Sequence, residues 1–181
     1  MIRSIATAFV RISDVINIVA KFALGALLVG MTMATFAQVL VRFVFTSFGI
    51  TISAPWTEEL SRYAMIWLVF VGLGVGFRYD MLISLTAVVN KVSARMRNFL
   101  RYLAFAASFG FLALIFSLGL EFVEFGRIER SPALSISKTW VYWAMPVGAL
   151  IGCINILARV ADAWLRGAEI SSPITSDVLE D

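Results

Sequence analysis

Long runs of apolar residues, separated by short charged stretches, account for most of this chain. The clearest run extends over twenty residues from Phe22 to Val41 and is bracketed by Lys21 and Arg42. A bilayer core about 30 Å thick needs roughly 20 helical residues to cross it. Four runs of this character predict an all-α integral membrane protein, and Pro146 predicts a kink in the last of them. We place the transmembrane helices at about residues 22–41, 57–77, 102–120 and 139–158.

The second span depends on the charged residues at its start. Its uncharged part, Tyr63 to Phe77, has fifteen residues and would cover only about 22 Å as a helix. A full crossing therefore requires extension backwards past Arg62, Glu59 and Glu58. Pro55 suits the first turn of such a helix, and the helix dipole favours carboxylates in the early turns. We expect these charged residues at the membrane boundary.

Further segments combine helical periodicity with basic charge. We interpret residues 1–21 as a cytoplasmic amphipathic lead-in helix on or near the membrane surface, and residues 78–101 as a second surface-lying amphipathic helix. The uncharged stretch at 43–57 contains glycine and proline, which favours an interfacial or re-entrant segment. Residues 22–158 then form one four-helix membrane domain, followed by a polar cytoplasmic tail at 159–181.

The distribution of basic residues predicts the orientation of the helices. Ten Lys and Arg residues lie in the segments on the side of the two termini, and five lie in the two loops on the other side. Because cytoplasmic loops are enriched in Lys and Arg, we expect both termini in the cytoplasm.

Composition supports a membrane protein and argues against several other classes. The chain is 60% hydrophobic and 15% charged, whereas soluble domains average about 25% charged residues. The net charge of +3 comes from basic residues at the ends of apolar runs, which favours lipid headgroups and not nucleic acid. There is no histidine, and Cys153 lies mid-span in apolar surroundings. We therefore predict no metal site, no cofactor, no catalytic residues and no enzyme activity.

Polar residues inside the predicted spans are scarce. The largest are Gln38 and Asn155, and neither can titrate. Proton relays and charged-substrate paths normally place ionisable residues at membrane depth. We interpret both amides as groups for helix–helix hydrogen bonding, and we do not expect the chain to transport a substrate alone.

Small residues at four-residue spacing form stripes along three of the spans. Such stripes let helices approach closely, and they predict packing among these four helices or against a partner. The residues are Ala26, Gly30 and Ala34 in the first span, Gly72 and Gly76 in the second, and Ala144, Gly148 and Gly152 in the fourth.

The start of the second span has the more distinctive pattern. Spacings of four and three residues allow Glu58 or Glu59 to pair with Arg62 on one helix face. An interfacial aromatic girdle with a local ion pair is one interpretation, because Trp and Tyr are enriched at that depth. A docking element for another membrane protein is the alternative. We predict an organising or partner-binding role for Trp56, Glu58, Glu59, Arg62, Tyr63 and Trp67.

The order of these features resembles a known family. The element Trp56 to Tyr63 leads into an apolar helix that carries Trp67 and Gly72, and a basic amphipathic stretch follows. Later motifs are Ser131-Pro132-Ala133-Leu134 with Ser137, Trp140-Val141-Tyr142, and Pro146-Val147-Gly148. Over about residues 10–165 the set resembles the small membrane subunit, the Q component, of tripartite ATP-independent periplasmic (TRAP) transporters. At Met81 to Leu85 the chain lacks the His and Asp that such subunits often carry.

The resemblance implies a transport system of three parts in the bacterial inner membrane. A soluble periplasmic protein captures an organic acid, a carboxylate or sulfonate, and a large many-span subunit moves it inward with sodium ions. The small subunit is then a helical scaffold, with the large subunit, the binding protein and membrane lipid as its partners. A small oligomeric channel or exporter is the alternative function. That alternative needs a pore built by repetition, and no internal repeat is evident.

Overall fold

The structure is a computed structural model that describes residues 2–45, 47–48, 55–79 and 94–166. The helices within these ranges are α1 (Ile2–Val39), its π-helical continuation (Leu40–Phe45), α2 (Pro55–Gly76), α3 (Ala94–Gly126), a short α4 (Thr139–Tyr142) and α5 (Ala144–Arg166). Four stretches are long and apolar enough to cross a membrane: Arg3–Val44, Pro55–Gly76, Tyr102–Gly126 and Thr139–Leu165. The predicted all-α membrane fold with four spans is confirmed.

Several predicted segments lie partly outside the described residues. The amphipathic helix predicted at 78–101 is described only at its two ends, and residues 94–101 are the first turns of α3. The predicted segment at 43–57 is likewise described at its ends, and the predicted tail at 159–181 only as far as the end of α5. The Met81 to Leu85 run lies outside the described residues altogether.

α1 is one continuous helix across the predicted boundary between the lead-in and the first span. Ser13, Asn17 and Ala20 are buried in its N-terminal half. Their spacing of four and three residues places them on one helix face, which packs against α2 and α5. One face of the lead-in segment therefore contacts the other helices of the chain.

α5 lies at the centre of the helical bundle, in contact with α1, α2 and α3. In the most apolar part of each span, half of the residues are buried in Thr139–Leu165, against 22% in Pro55–Gly76 and 11% in each of Arg3–Val44 and Tyr102–Gly126. One apolar core surrounds Leu112 and Ile156 between α3 and α5, and another surrounds Val71 and Val75 among α1, α2 and α5. The outward faces remain apolar, as expected of a protein whose solvent is lipid.

Glycines allow α2 and α5 to cross in backbone contact. A Cβ atom on Gly148 would collide with the main-chain carbonyl of Phe70, and one on Gly74 would lie 2.5 Å from the carbonyl oxygen of Gly148. A Cβ on Gly152 would lie 2.7 Å from Cδ1 of Leu112 on α3. These contacts leave no room for larger side chains on the faces where α5 meets its neighbours.

The predicted small residues divide between the interior and the surface. Buried among the helices of the chain are Ala34, Ala144, Gly148 and Gly152. Ala26 and Gly30 are exposed, and Gly72 and Gly76 are half-buried. A Cβ on Gly30 or Gly72 would meet no atom within 4 Å. Packing of these two glycines against a partner stays a prediction.

The fourth span is interrupted near Pro146. α4 ends at Tyr142 and α5 begins at Ala144. Proline has no N–H, so the carbonyl of Tyr142, four residues earlier, receives no helical hydrogen bond from it. The bond from the Val147 N–H to the Trp143 carbonyl, 3.1 Å long, carries the helical path across the interruption.

Candidate functional site

Glu59 connects α2 to the loop that follows α3. Its Oε2 accepts hydrogen bonds from the main-chain N–H groups of Ala133, at 3.1 Å, and Leu134, at 3.0 Å. Its Oε1 accepts the hydroxyl of Tyr63, one turn further along α2, at 2.8 Å. One carboxylate therefore fastens the loop to the N-terminal end of α2. We call Glu59, Tyr63, Ser131, Ala133 and Leu134 the Glu59 cluster.

The loop is folded so that two successive N–H groups point at this carboxylate. The Ser131 hydroxyl accepts the N–H of Leu134 at 3.1 Å, and the Ser135 N–H donates to the Ser131 carbonyl at 3.0 Å. Ser135 has a φ of 55°, a left-handed conformation that closes the turn. Consecutive amides in such turns form a concave site for an anion, and here Glu59 occupies it.

Arg62 pairs with Glu58 and not with Glu59. Its Nη2 lies 3.0 Å from Oε1 of Glu58, and the two side chains are 62% and 60% exposed. Exposed pairs of this kind contribute about 0–1 kcal/mol. Of the two carboxylates that the sequence offered, Glu59 holds the loop and Glu58 stays on the surface.

A second ion pair closes the base of the same loop. Glu129 Oε2 lies 2.9 Å from Lys138 Nζ and accepts the Tyr142 hydroxyl at 3.1 Å. The Lys138 N–H also donates to the Glu129 carbonyl at 3.1 Å. The hydrogen bonds from Lys138 and Tyr142 hold the pKa of Glu129 below its usual value. The hydrogen bond to Glu129 raises the pKa of Lys138.

The three predicted aromatic residues differ in their surroundings. Tyr63 belongs to the Glu59 cluster, and the indole N–H of Trp67 donates to the Trp140 carbonyl at 3.2 Å. Trp56 is exposed, as is the side chain of Trp140. Exposed tryptophans at the end of a span are typical of the membrane interface.

A cavity of about 430 Å³ opens between the start of α2 and the loop. Its walls combine two carboxylates, two cations and the rings of two tyrosines with apolar groups. The lining residues are Pro55, Glu58, Glu59, Arg62, Tyr63, Ile66, Pro132, Ala133, Lys138, Val141 and Tyr142.

A second polar cluster, which we call the amide cluster, joins α1, α2 and α5. It consists of Ser13, Asn17, Asn155 and the Gly74 carbonyl. Asn155 Oδ1 accepts the Ser13 hydroxyl at 2.8 Å and the Asn17 amide at 2.6 Å. Its Nδ2 donates to Asn17 Oδ1 at 2.9 Å and to the Gly74 carbonyl at 2.8 Å. The predicted helix–helix hydrogen bonding of Asn155 is confirmed.

A buried arginine lies near the same helix ends. Arg78, just after α2, donates from Nε at 3.1 Å and from Nη2 at 2.7 Å to Oδ1 of Asp14 on α1. The Arg78 side chain is 4% exposed, and its Nη1 has no hydrogen-bond partner among the described residues. The Lys21 ammonium lies 3.5 Å from the centre of the Tyr79 ring. These contacts join α1 to the residues that end α2.

Most of the polar side chains described above form hydrogen bonds between helices or between a helix and the loop. Glu59 and Glu129 are occupied by hydrogen bonds within the chain, and Cys153 packs against the apolar core between α3 and α5. Within residues 2–45, 47–48, 55–79 and 94–166, no group of three or more His, Cys, Asp or Glu residues could hold a metal ion. The arrangement suits assembly of helices.

Comparison with known protein families identifies the family of this chain. Residues 31–166 match the model of the DctQ component of tripartite ATP-independent periplasmic transporters. The chain belongs to this family. The match includes the Glu59 cluster, α3 and α5, and it begins within α1, beyond Ser13 and Asn17. The predicted resemblance is confirmed, and the chain is a multi-pass membrane protein of the DctQ family.

Curated relatives include small permease proteins of TRAP transporters from two bacteria. The C4-dicarboxylate TRAP transporter protein DctQ of Rhodobacter capsulatus is 28% identical over 121 residues, which are 66% of this chain and 53% of the relative. DctQ of Vibrio cholerae is 25% identical over 107 residues, 59% of this chain and 44% of the relative. The sialic acid TRAP transporter protein SiaQ of Vibrio cholerae is 22% identical over 128 residues, 71% and 74% of the two chains. The chain thus spans about half the length of the two DctQ proteins.

Sequence reasoning found the α2 part of the site and missed its partners. The Ser131-Pro132 dipeptide is typical of a turn, but the sequence does not show that the amides of this turn face Glu59. Ser13 and Asn17 were missed because they fall in the segment predicted as a surface helix. Ser13 and Asn17 are four residues apart on an otherwise apolar helix face, and this spacing could have indicated a polar contact with another helix.

Proposed function

We propose that the chain is the small scaffold subunit of a sodium-coupled, binding-protein-dependent secondary transporter that imports an organic acid. One observation supports the proposal that the chain is a scaffold and does not itself form the transport path. The central parts of the four spans, at residues 22–41, 63–77, 102–120 and 139–158, contain no ionisable residue apart from Tyr63, Tyr102, Tyr142 and Cys153. A path for a charged substrate or a proton normally places charged or titrating groups at this depth.

The relatives support an acid as the substrate. The names of two DctQ proteins specify C4-dicarboxylates, and the name of SiaQ specifies sialic acid. Both are carboxylic acids, so we propose a carboxylate or sulfonate as the transported class. Selection of the substrate would belong to a large many-span subunit and a periplasmic binding protein. For this chain we propose no catalytic activity.

The proposed location is the bacterial inner membrane, with both termini in the cytoplasm. The ten-to-five distribution of basic residues supports this orientation. The Glu59 cluster then lies at the periplasmic end and the amide cluster towards the cytoplasmic end. We propose that the residues predicted at the start of α2, from Trp56 to Trp67, contribute to contact with the large subunit.

Reconstitution tests the scaffold role. Liposomes would contain the large subunit alone, this chain alone, or both, with binding protein and acid outside and a sodium gradient across the membrane. We expect sodium-dependent uptake only when both membrane proteins and the binding protein are present. Uptake or leak through this chain alone would overturn the proposal and favour the channel.

The partner contact is tested separately by co-purification. The large subunit, produced with this chain, should be retained on an affinity tag placed on this chain. A large subunit that is fully active and never retained would contradict a scaffold role.

A further inference from the structure

The cavity at the start of α2 has a balanced set of charges. Glu58 and Glu59 contribute two carboxylates to its lining, and Arg62 and Lys138 contribute two cations. A purely anionic ligand would meet both carboxylates, and a purely cationic one would meet both cations. A ligand that carries both signs matches this wall.

Among these groups, Glu58 and Arg62 are the most available to a ligand. Glu59 is held by three hydrogen bonds within the chain. Glu58 and Arg62 share one contact of 3.0 Å, and each side chain is about 60% exposed. Such pairs are weak and open at little cost. The ammonium group of Lys138 donates one hydrogen bond to Glu129 and has two further N–H donors.

An apolar track continues from the cavity along α2. Ile66, Val69 and Leu73 follow Arg62 at spacings of four, three and four residues, which places all four on one face of the helix. Val69 and Leu73 are exposed, and Ile66 lines the cavity. From Arg62 to Leu73 the track is about 16 Å long at about 1.5 Å per residue. That length is about half of a 30 Å hydrocarbon core, which is one leaflet.

We infer that this cavity binds the headgroup of a zwitterionic aminophospholipid. The phosphate lies at Arg62 and Lys138, the ammonium at Glu58, and one acyl chain follows Ile66, Val69 and Leu73. The charge balance selects the headgroup, and the length and exposure of the track select a lipid over a soluble zwitterion. The site does not depend on the proposed transport function. It requires Glu58 and Arg62 to face lipid, which leaves the proposed contact with the large subunit to the other residues between Trp56 and Trp67. The proposed orientation would place the site in the outer leaflet.

Native mass spectrometry of the full chain in detergent tests the site. The protein would be mixed with equal amounts of phosphatidylethanolamine and phosphatidylglycerol. We expect retention of phosphatidylethanolamine in preference to phosphatidylglycerol. Arg62→Ala and Glu58→Gln should each lower that retention about tenfold or more, since each removes a charge-assisted hydrogen bond. Arg62→Lys should keep part of it.

The matched control is Arg127→Ala. Arg127 pairs with Glu124 at 3.2 Å with about two thirds of each side chain exposed, and it does not line the cavity. This variant should retain the lipid like the parent chain. Melting temperatures of all variants separate loss of the site from loss of the fold.

Three results would overturn the inference. The first is equal retention of both lipids, or equal loss in Arg62→Ala and Arg127→Ala. The second is competition by glycerophosphoethanolamine, which has no acyl chains, at the concentration of the lipid itself. The third is the absence of bound lipid together with weaker binding of Arg62→Ala to the large subunit. That result would assign the cavity to protein docking while leaving the proposed function intact.

Discussion

Asn17 of α1 and Asn155 of α5 exchange two amide hydrogen bonds, 2.6 and 2.9 Å long. Both side chains are fully buried, and the remaining N–H of Asn155 binds the carbonyl of Gly74 on α2. Three helices are therefore joined by one polar contact whose members are all satisfied. In an apolar interior this fixes one register of the helices, because any slip would leave buried amides unpaired.

Asn155→Ala should lower the stability of the isolated chain by about 1–3 kcal/mol, because it removes the hydrogen-bond partner of Asn17 Oδ1, of the Ser13 hydroxyl and of the Gly74 carbonyl, while the Asn17 amide keeps its bond to the Ser13 carbonyl. Thermal unfolding in detergent measures the change. Asn17→Ala should cost less, and the double variant should cost less than the sum of the two. Ser117→Ala is the control, since Ser117 is exposed and bonds only within α3. A melting temperature for Asn155→Ala equal to that of Ser117→Ala would show that the amide cluster does not hold the helices.

The number and nature of the helices could be predicted because hydropathy over about 20 residues decides membrane insertion. The packing of the N-terminal half of α1 against the other helices could not be predicted. Residues 1–21 carry Arg3, Arg11, Asp14 and Lys21, which suggested a surface helix. In the structure Asp14 is neutralised by the buried Arg78, and Ser13 and Asn17 meet Asn155. These partners are more than sixty residues away in the chain, so local periodicity does not reveal them.

Gly148→Ala should destabilise the chain by about 1–3 kcal/mol, because the added methyl group collides with the Phe70 backbone. Backbone atoms cannot move aside as a side chain can. Gly110→Ala on α3 is the matched control: a Cβ there meets nothing within 4 Å, and alanine favours the helix by up to about 1 kcal/mol. Thermal unfolding compares the two. Equal melting temperatures would contradict the close crossing of α2 and α5.

Gly30→Leu tests whether the exposed small residues of α1 face a partner. The isolated variant should keep its melting temperature or raise it slightly, since a Cβ at Gly30 meets no other part of the described chain within 4 Å and leucine favours the helix over glycine. Its retention of the large subunit in co-purification should fall, because leucine would separate closely packed helices. Val29→Leu, a change at an exposed neighbour, is the control. Normal assembly of Gly30→Leu would assign this face to lipid.

The ion pair of Glu129 and Lys138 predicts a defined pH dependence. The pKa of Glu129 is lowered, so its stabilisation is complete above the ordinary value of 4.5 and is lost as the pH falls through the lower folded value. The pKa of Lys138 is raised, so its stabilisation is complete below 10.5 and is lost as the pH rises through the higher folded value. Lys138→Ala should therefore lower the melting temperature by a constant amount between these limits.

Outside those limits the difference between Lys138→Ala and the parent chain should shrink, on the acid side through Glu129 and on the alkaline side through Lys138. Arg127→Ala removes the exposed partner of Glu124 and controls for loss of a surface cation. A difference for Lys138→Ala that did not change across either limit would show that the effect comes from packing and not from charge.

At the start of α2, the sequence predicts an ion pair but not which carboxylate forms it. Spacing allowed Arg62 to pair with either Glu58 or Glu59, and only the loop amides of Ala133 and Leu134 decide between them. Those amides are more than seventy residues away, and a left-handed residue at Ser135 aims them. Glu59 is therefore the side chain that binds the loop amides, whereas Arg62 pairs with Glu58 on the surface.

Glu59→Gln should loosen the loop, whereas Arg62→Ala should leave it in place. The glutamine is uncharged, so its oxygen binds the Ala133 and Leu134 amides more weakly than the carboxylate does, and its NH₂ group cannot accept the Tyr63 hydroxyl proton. Its melting temperature should fall, and hydrogen exchange should rise at the loop amides. Arg62→Ala breaks only an exposed pair, worth about 0–1 kcal/mol, so both measurements should match the parent chain. Glu124→Gln neutralises an exposed carboxylate that lies outside this cluster and should also leave both measurements unchanged.

If the Glu59 cluster contributes to the partner contact, Glu59→Gln will also reduce co-purification of the large subunit. Exchange at the loop equal in Glu59→Gln and Glu124→Gln would remove Glu59 from its organising role, because the turn would then hold itself without the carboxylate.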